Sequence, residues 1–326
     1  MAKVAINGLG RIGRAALKII MENPDLELVA VNDLIPAENL AYLLEYDSVY
    51  GRYGEVKPGD GSLTVKGKKI PLLSEKDPAS LPWKDMNVDV VFECTGIFTK
   101  KDALKKHLDA GAKKVILSAP GDIDTIVYGT NHKGSENMDM LSCASCTTNC
   151  ITPVMEIMRR RIGIKKALMT TIHAYTSTQN IVDGPSKKMR RGRAGAVNLV
   201  PTSTGAAVAT TKAIPELKGR FDGVAVRSPV PVGSISDITI VTEKETSAEE
   251  INSIFKEEAE SEQYKNVLAV SEDPIVSSDI IQNPHASIVD LGMTQVVDGD
   301  LVKIMAWYDN EWGYANQMIR EAVYLT

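Results

Sequence analysis

The sequence lacks several features that would assign a protein to a class at once. No apolar run in its 326 residues approaches the roughly 20 residues that a membrane-spanning helix needs. Acidic residues outnumber basic ones, 42 against 37, so the net charge of -5 gives no support for a nucleic-acid partner. The first residues show no signal-peptide pattern. We therefore expect a soluble cytoplasmic protein.

Cysteine is also scarce, and the four cysteines do not form a metal-binding pattern. They are Cys94, Cys143, Cys146 and Cys150. Cys143 and Cys146 form one Cys-x-x-Cys pair, but a second pair at zinc-site spacing is missing, so we predict no metal. The thiols of such a chain are expected to stay reduced. A reversible disulfide of Cys146 with Cys143 or Cys150 remains an alternative to simple burial of those neighbours.

A glycine-rich stretch near the start of the chain is typical of dinucleotide-binding proteins. A short apolar strand at 3–7 leads into Gly8, Gly10 and Gly13 in the pattern G-x-G-x-x-G, and an apolar helical pattern follows. Asp33 ends a second predicted strand about 20 residues later, the spacing of an acid that binds an adenosine ribose. A carboxylate there would repel a 2′-phosphate. These residues predict binding of NAD rather than NADP.

Alternating strand and helix patterns continue through the first half of the chain. Residues 88–93 form a near-continuous apolar run, as in a buried parallel strand, and Thr95 and Gly96 follow at its carboxyl end. Two more strands are predicted, at 114–118 and 125–128. These patterns predict a doubly wound sheet with ligand contacts at the carboxyl ends of its strands.

Cys146 is the residue around which we interpret the second half of the chain. The Ser, Thr and Asn residues of the stretch 142–150 can cap a helix there, and apolar positions at helical spacing follow over 151–158. A helix N-terminus favours a thiolate, so this position is expected to lower the pKa of the thiol and make it a nucleophile. A small buried cysteine in a capped helix is the alternative.

Candidate partners for this thiol follow further along the chain. His173 ends a predicted strand, and a basic segment with little periodicity, about 177–200, comes after it. A Thr-Gly turn at Thr204 and Gly205 opens a helix, and Arg227 lies in a predicted strand. Hydroxyls, helix-start amides and an arginine together are suited to a phosphate site.

The sequence thus predicts an α/β protein of two domains. A Rossmann-type, doubly wound and mostly parallel sheet would occupy residues 1–145. An α+β catalytic domain with a largely antiparallel sheet would occupy 146–311, because alternating strand patterns recur near 235–242 and 301–308. A helix at 312–326 is expected to pack back on the first domain.

Taken in order, the motifs resemble those of the phosphorylating glyceraldehyde-3-phosphate dehydrogenase family. The matching stretches are 7–14, 144–150, 171–176, 201–207 and 307–314. They are distributed over the whole chain, and the cysteine motif is highly specific. The resemblance implies NAD as cofactor and the reversible oxidation of glyceraldehyde 3-phosphate, with inorganic phosphate, to 1,3-bisphosphoglycerate.

The resemblance also implies roles for individual residues. Cys146 would attack the aldehyde and carry a thioester, His173 would act as acid and base, and the Cys146 N–H with His173 would stabilise the oxyanion. Arg227 would serve two anion sites. The substrate and phosphate residues implied are Ser145, Thr147, Thr176, Thr204, Gly205 and Arg227. The cofactor residues implied are Gly8, Gly10, Arg11, Ile12, Gly13, Asp33, Thr95, Gly96, Ser118, Asn310 and Tyr314.

The resemblance further implies a homotetramer, in which 177–200 matches an S-shaped loop at a subunit interface. Neither a membrane nor a nucleic acid is expected as a primary partner. Two alternatives are open at this point. An erythrose-4-phosphate dehydrogenase shares the thiol and histidine but hydrolyses its thioester, and a nucleotide-binding regulatory protein needs no catalytic site.

Overall fold

The structure, a computed structural model, describes all 326 residues, and its backbone divides into two compact units. The first unit consists of Met1–Tyr128, His132–Ala144 and Ala315–Thr326. The second consists of Gly129–Asn131 and Ser145–Tyr314. No helix in either unit combines the length and the apolar character that crossing a membrane would require.

The first unit is built on one large sheet and three of its own helices. Its strands are β1 (Ala2–Asn7), β2 (Leu26–Asn32), β3 (Tyr46–Asp47), β4 (Gly51–Arg52), β5 (Val56–Gly59), β6 (Ser62–Val65), β7 (Lys68–Leu73), β8 (Val90–Glu93), β9 (Lys114–Leu117) and β10 (Met140–Ser142). Its helices are α1 (Arg11–Ile20), α2 (Ala37–Glu45) and α3 (Lys101–Asp109). Strands β3 and β4 form a separate two-stranded ribbon.

The order of strands in the large sheet is β10-β9-β8-β1-β2-β7-β6-β5. Every pair from β10 to β7 is parallel, and β7, β6 and β5 continue as an antiparallel meander. All four residues of β8 are buried, which explains its near-continuous apolar sequence. The predicted doubly wound, mostly parallel sheet is confirmed.

One predicted strand of this unit is not formed. The sequence predicts a strand at 125–128, but the structure has only a single bridge there, between Thr125 and Ser142. The edge of the sheet is instead β10, which pairs with β9. Ile126 and Val127 are buried all the same. A short apolar run indicates that a segment is buried, but it does not indicate which segment pairs with the edge of the sheet.

The turn between β1 and α1 depends on close approaches of the backbone to itself. A Cβ atom on Gly13 would lie 1.9 Å from the carbonyl oxygen of Gly8. Gly8 has a φ of +94°, and a Cβ there would lie 2.8 Å from the backbone nitrogen of Thr95. A Cβ on Gly10, in contrast, would meet nothing within 4 Å. Gly8 and Gly13 are therefore required by the fold, whereas Gly10 is not.

The second unit contains three helices and a second large sheet. The helices are α4 (Cys146–Arg161), α5 (Ala206–Ala213) and α6 (Ala248–Glu260), and α7 (Trp312–Tyr324) begins in this unit and continues into the first. The strands are β11 (Ile164–Ala174), β12 (Val200–Ser203), β13 (Phe221–Ser228), β14 (Ser234–Thr242), β15 (Leu268–Ser271), β16 (Ser287–Asp290), β17 (Gln295–Val297) and β18 (Leu301–Tyr308).

This second sheet has the order β12-β13-β11-β14-β18-β16-β15, with β17 also paired to β18. Most neighbours are antiparallel, and the exceptions are β11 with β13 and β15 with β16. Helix α4 packs against β11, β14, β16 and β18. Its apolar residues, among them Ile151, Val154 and Met158, are fully buried. The predicted α+β unit with a largely antiparallel sheet is confirmed.

Replacement of Gly13 by alanine should destabilise the first unit, because the new methyl group overlaps the Gly8 carbonyl and α1 must move. We expect Gly13→Ala to lower the free energy of unfolding by about 1–3 kcal/mol or more. The matched control is Gly10→Ala, where space is open and a change within about 0.5 kcal/mol is expected. Urea unfolding followed by circular dichroism measures both. Equal stabilities of the two variants would contradict the packing described here.

Candidate active site

Cys146 is the first residue of α4, and Ser145 caps this helix as the sequence predicts. The Oγ of Ser145 accepts a hydrogen bond from the backbone N–H of Thr148 at 3.1 Å. The carbonyl of Ser145 accepts a second one, at 2.9 Å, from the side chain of Asn149. Ala144 has a φ of +56°, which is uncommon for a residue with a side chain. This turn and cap together hold the thiol at the start of the helix.

His173 lies beside this thiol, with its Nε2 at 3.3 Å from the Sγ of Cys146. It stands near the end of β11, which pairs in parallel with β13, and its register partner there is Arg227. Nucleophile, base and cation therefore come from α4, β11 and β13. A thiol within hydrogen-bond distance of an imidazole is the arrangement of an activated nucleophile.

The second ring nitrogen of His173 lies between an acceptor and a donor. Nδ1 is 2.7 Å from the carbonyl oxygen of Ala174, an atom that can only accept a hydrogen bond. This contact favours the tautomer with the ring proton on Nδ1, in which Nε2 can accept the proton of Cys146. Nη1 of Arg227 can only donate and favours the other tautomer, because it lies 2.5 Å from the same Nδ1 and 3.0 Å from the Ala174 carbonyl. Its charge therefore lies beside the imidazole.

Burial dominates the electrostatics of the pair. It lowers the pKa of His173 to about 3, helped by the charges of Arg227 and Arg191 and opposed by the bond to Ala174. Burial also raises the pKa of Cys146, although Arg227 and the helix-start N–H groups act in the other direction. The predicted lowering of the Cys146 pKa is therefore wrong for this structure. The reason is that loss of water outweighs the helix N-terminus.

Burial opposes a charge on either group alone, but a shared proton changes the balance. When the proton of Cys146 moves to Nε2 of His173, two opposite charges arise about as far apart as an ion pair. Their attraction in a water-poor site is large, and it favours charging both groups together. The site is thus suited to transfer a proton in the same step in which sulfur attacks a carbon.

A buried tyrosine ties the start of α4 to β11. The hydroxyl of Tyr308 lies 2.8 Å from Thr147 Oγ1 and 2.8 Å from Thr171 Oγ1. Its ring meets that of His173 edge-on, with centroids 5.9 Å apart, and it is 1% exposed. Burial raises the pKa of Tyr308. Sequence reasoning did not single out this residue, because a tyrosine in a strand carries no signal of a partner elsewhere in the chain.

The hydrogen bond of Tyr308 involves Thr147, one of the predicted substrate residues. The side chain of Thr147 is buried, and its hydroxyl is occupied by Tyr308 rather than directed at open space. A role of Thr147 in binding substrate stays a prediction, and its backbone N–H and hydroxyl both act to lower the pKa of Cys146.

Arg227 has an unused donor, as an anion-binding residue would. Its Nε is buried and has no hydrogen-bond partner, although its Nη1 bonds to Ala174. A buried donor without a partner is costly, and an anionic ligand would remove that cost. The residues present thus fit an anion at this point.

The remaining predicted anion residues come from the strand that neighbours β13. β12 pairs with β13, with Val200 opposite Arg227, and leads directly to Thr204 and Gly205 at the start of α5. Gly205 is the N-cap of α5, and the N–H of Ala206, the first residue of this helix, donates to Oγ1 of Thr204 at 3.2 Å. Thr176 follows β11 and is half-buried, and its hydroxyl bonds to Thr178.

Arg191 is a further cation of this region that sequence analysis treated only as part of a basic segment. Its Nε donates to Thr202 at 3.1 Å and its Nη1 to Thr178 at 3.3 Å. Its charge acts on both His173 and Arg227. The signal that could have found it is its place in a loop that begins just after a candidate catalytic strand.

In the first unit, the residues at the start of α1 fit a dinucleotide phosphate. Gly10 caps α1 without a side-chain hydrogen bond, and no acidic residue stands in the first turn. A helix start of this kind binds anions through its N–H groups. Ile12 is half-buried in this turn. The guanidinium of Arg11, which the resemblance implies in the cofactor site, forms an ion pair with Asp47 at 2.7 Å.

Asp33 follows the end of β2, on the other side of the glycine loop. One carboxylate oxygen accepts from the N–H of Leu9 at 2.6 Å and the other from that of Ile35 at 3.0 Å. The side chain is half-buried, and each oxygen can accept a further bond from a ribose hydroxyl. The structure therefore brings Asp33 to the glycine loop, as expected for an NAD site.

Two further strand ends complete this group. Thr95 and Gly96 follow β8, and Ser118 follows the adjacent β9. The N–H of Ser118 donates to the carbonyl of Glu93 at 3.0 Å, which fixes the end of β9 beside that of β8. The predicted cofactor residues of the first unit thus lie at the carboxyl ends of neighbouring parallel strands.

The last two predicted cofactor residues are buried in the second unit. The side-chain oxygen of Asn310 accepts from the hydroxyl of Ser234 at 2.9 Å and from the N–H of Gly233 at 3.2 Å. These two hydrogen bonds to the oxygen fix the orientation of the Asn310 amide. Its NH₂ group is then the donor that this side chain can offer. Tyr314 is 3% exposed, in the first turn of α7.

The other cysteines are less suited to chemistry than Cys146. Cys143 and Cys150 are both buried, and the structure contains no disulfide bond. Burial raises the pKa of Cys150 to about 12 and that of Cys143 well above its ordinary value. No group of three or more potential ligands is placed to hold a metal ion.

Comparison with known proteins agrees with this arrangement. Residues 2–101 match the family model for the glyceraldehyde 3-phosphate dehydrogenase NAD binding domain, and residues 145–310 match that for the C-terminal domain. A glyceraldehyde-3-phosphate dehydrogenase of Zymomonas mobilis is 48% identical, over 98% of this chain and 97% of its own. One of Mycolicibacterium smegmatis is 50% identical, over 97% and 96%. The chain therefore belongs to the glyceraldehyde-3-phosphate dehydrogenase family.

Proposed function

We propose that the protein oxidises glyceraldehyde 3-phosphate with NAD and phosphorylates the product to 1,3-bisphosphoglycerate. The observation that carries this proposal is the thiol of Cys146 at a capped helix start, 3.3 Å from Nε2 of His173 and close to Arg227. A thiol, a base and a buried cation with an unused donor are what covalent oxidation of a phosphorylated aldehyde requires.

The first step is attack of sulfur on the aldehyde carbon. Nε2 of His173 accepts the thiol proton as the C–S bond forms, in the tautomer that carries its ring proton on Nδ1 toward Ala174. The oxygen that gains negative charge is stabilised by the N–H of Cys146 and by the imidazolium. The imidazolium then returns the proton to this oxygen, which leaves a hemithioacetal on Cys146 and a neutral His173.

The second step removes a hydride from this hemithioacetal. His173 accepts the hydroxyl proton of the hemithioacetal, and a thioester remains on Cys146. NAD, when bound, supplies the hydride acceptor. The first unit would hold it through the start of α1 and Asp33, and Asn310 and Tyr314 of the second unit are proposed to position its nicotinamide.

The last step transfers the acyl group to inorganic phosphate. Phosphate attacks the thioester carbon, the C–S bond breaks, and His173 returns a proton to sulfur. We assign the substrate phosphate to Thr176 and Arg227, and the attacking phosphate to Ser145, Thr204 and Gly205. The orphaned Nε of Arg227 supports the first assignment, and the position of Thr204 and Gly205 at the start of α5 supports the second.

We further propose that the protein works as a cytoplasmic homotetramer. The segment 177–200 contains a single short 3-10 helix, Met189–Gly192, and exposes several large apolar side chains. They are Ile181, Val182, Met189, Val197 and Leu199. Apolar side chains that are 68–88% exposed in one loop are typical of an interface.

The proposed reaction is tested by NADH formation from glyceraldehyde 3-phosphate with phosphate present and then omitted. We expect sustained turnover only with phosphate, and a preference for NAD over NADP because of Asp33. Erythrose 4-phosphate serves as the comparison substrate. Sustained turnover without phosphate would show that water takes the acyl group, which would contradict the phosphorylating reaction.

Removal of either central group should abolish or strongly slow turnover. We expect Cys146→Ser to be inactive, since an alkoxide is not available at neutral pH, and His173→Asn to lose about 10²–10⁴-fold in kcat. NAD binding should persist in both variants, because the glycine loop is unchanged. A Cys146→Ser variant with more than a small fraction of the activity would contradict the covalent mechanism.

Arg227 should also set how readily the thiol reacts. Its charge lowers the pKa of Cys146, so Arg227→Gln should raise that pKa and slow alkylation of Cys146 by iodoacetamide at every pH below it. The measurement is the alkylation rate between pH 6 and 10. Arg193→Gln is the control, because Arg193 is exposed and pairs with Asp183. Identical pH profiles of Arg227→Gln and the unaltered protein would contradict this electrostatic role.

A further inference from the structure

Three buried polar side chains lie side by side where the parallel strands of the first unit end. Asn7 of β1 is the register partner of Glu93 in β8 and of Asn32 in β2. Their exposed fractions are 2%, 0% and 4%. Polar groups at such depth are costly unless every one is hydrogen-bonded. The proposed chemistry uses none of these three side chains.

One chain of hydrogen bonds reaches Glu93 through the two asparagines. The backbone N–H of Glu75 donates to Oδ1 of Asn32, and Nδ2 of Asn32 donates to the Glu75 carbonyl, so this amide has a single orientation. Nδ2 of Asn32 also donates to Oδ1 of Asn7 at 2.7 Å. Nδ2 of Asn7 must then donate to Oε2 of Glu93, at 2.6 Å.

A second chain reaches Glu93 from the opposite side. The indole N–H of Trp83 can only donate, and it lies 3.0 Å from Nδ1 of His107. Nδ1 is therefore the acceptor, and the ring proton is on Nε2, 3.1 Å from Oε2 of Glu93. His107 is a neutral donor to the carboxyl group. Trp83 and His107 are both 0% exposed.

The groups around Glu93 supply hydrogen bonds to both of its oxygens. Oε2 receives donors from Asn7 and His107, and Oε1 is bonded to the N–H and the hydroxyl of Thr95. The Asn7 amide, the His107 Nε2–H and the Thr95 N–H can only donate at these positions. No lysine or arginine pairs with Glu93, so uncharged groups provide all of these bonds.

This carboxyl group joins the three strand ends that lead to the predicted cofactor residues. Gly8 follows Asn7, Asp33 follows Asn32, and the Thr95 backbone bonds directly to Glu93. A Cβ on Gly8 would lie 2.8 Å from the Thr95 nitrogen, so the glycine loop and the Thr95 loop are in close contact. A shift of the Thr95 loop would therefore displace the glycine loop.

We propose that Glu93 is a positioning residue for NAD. It makes four hydrogen bonds and so holds the glycine loop, Asp33 and the Thr95 loop at the spacing that the dinucleotide needs. His107 and Trp83 act through Glu93 by supplying a donor of fixed direction. This inference rests on the proposed use of NAD and assigns a role to residues that do not themselves contact the cofactor.

The test is the affinity for NAD of Glu93→Gln, measured by calorimetry at a temperature where circular dichroism shows a folded protein. In either orientation the new NH₂ group faces a donor that cannot reverse. On one side these are Asn7 and His107, whose directions Glu75 and Trp83 fix, and on the other side it is the Thr95 N–H. We expect the dissociation constant to rise about tenfold or more, and KM for NAD with it, while kcat at saturating NAD stays within about twofold.

A matched control separates positioning from general loss of stability. Ser135 is also fully buried in the first unit, and its hydroxyl bonds to Glu321 and to the carbonyl of His132. Ser135→Ala removes these hydrogen bonds without touching the cofactor loops, so NAD affinity should be unchanged. An NAD affinity of Glu93→Gln within twofold of that of Ser135→Ala would overturn the proposal.

Two variants of His107 decide the matter if Glu93→Gln does not fold. A glutamine can present an N–H to Glu93 and an oxygen to Trp83, whereas a leucine can present neither. We expect His107→Gln to bind NAD nearly as well as the unaltered protein and His107→Leu to bind at least several-fold more weakly. Equal affinities of the two would contradict the proposal. Failure of the unaltered protein to bind NAD would instead overturn the proposed function.

Discussion

The parallel pairing of β11 with β13 is the constraint on which the chemistry of the second unit depends. It sets His173 opposite Arg227, and β12, on the far side of β13, then leads to the start of α5. A slip of one residue would turn His173 to the other face of the sheet. Tyr308 connects β11 to α4 through the hydroxyls of Thr171 and Thr147. These bonds fix the position of the Cys146 thiol relative to His173.

The two units use strand ends in different ways. In the second unit, burial opposes a charge on Cys146 alone or on His173 alone. Transfer of the proton from Cys146 to His173 as sulfur attacks the aldehyde charges both groups together. In the first unit, Glu93 is completely buried, and its hydrogen bonds with Asn7, His107 and Thr95 join neighbouring strand ends. In both sites the groups around a buried side chain determine what it can do.

Much of this could be predicted from the sequence, since local patterns report local structure. The glycine spacing before α1, the cap at Ser145 and the apolar run of β8 each depend on a few adjacent residues. What sequence could not supply are contacts between distant residues. Desolvation of Cys146 reverses the pKa shift expected from its helix, and the bonds of Tyr308 and Glu93 join strands far apart in the chain.

The central claim is that Cys146 carries the acyl group between oxidation and phosphorylation. The most direct test is to mix the protein with glyceraldehyde 3-phosphate and NAD without phosphate, quench in acid, and map the modified peptide by mass spectrometry. The account predicts a phosphoglyceryl thioester on Cys146 that disappears when phosphate is added before the quench. NADH formation with no adduct on Cys146, or with the acyl group on another residue, would contradict it.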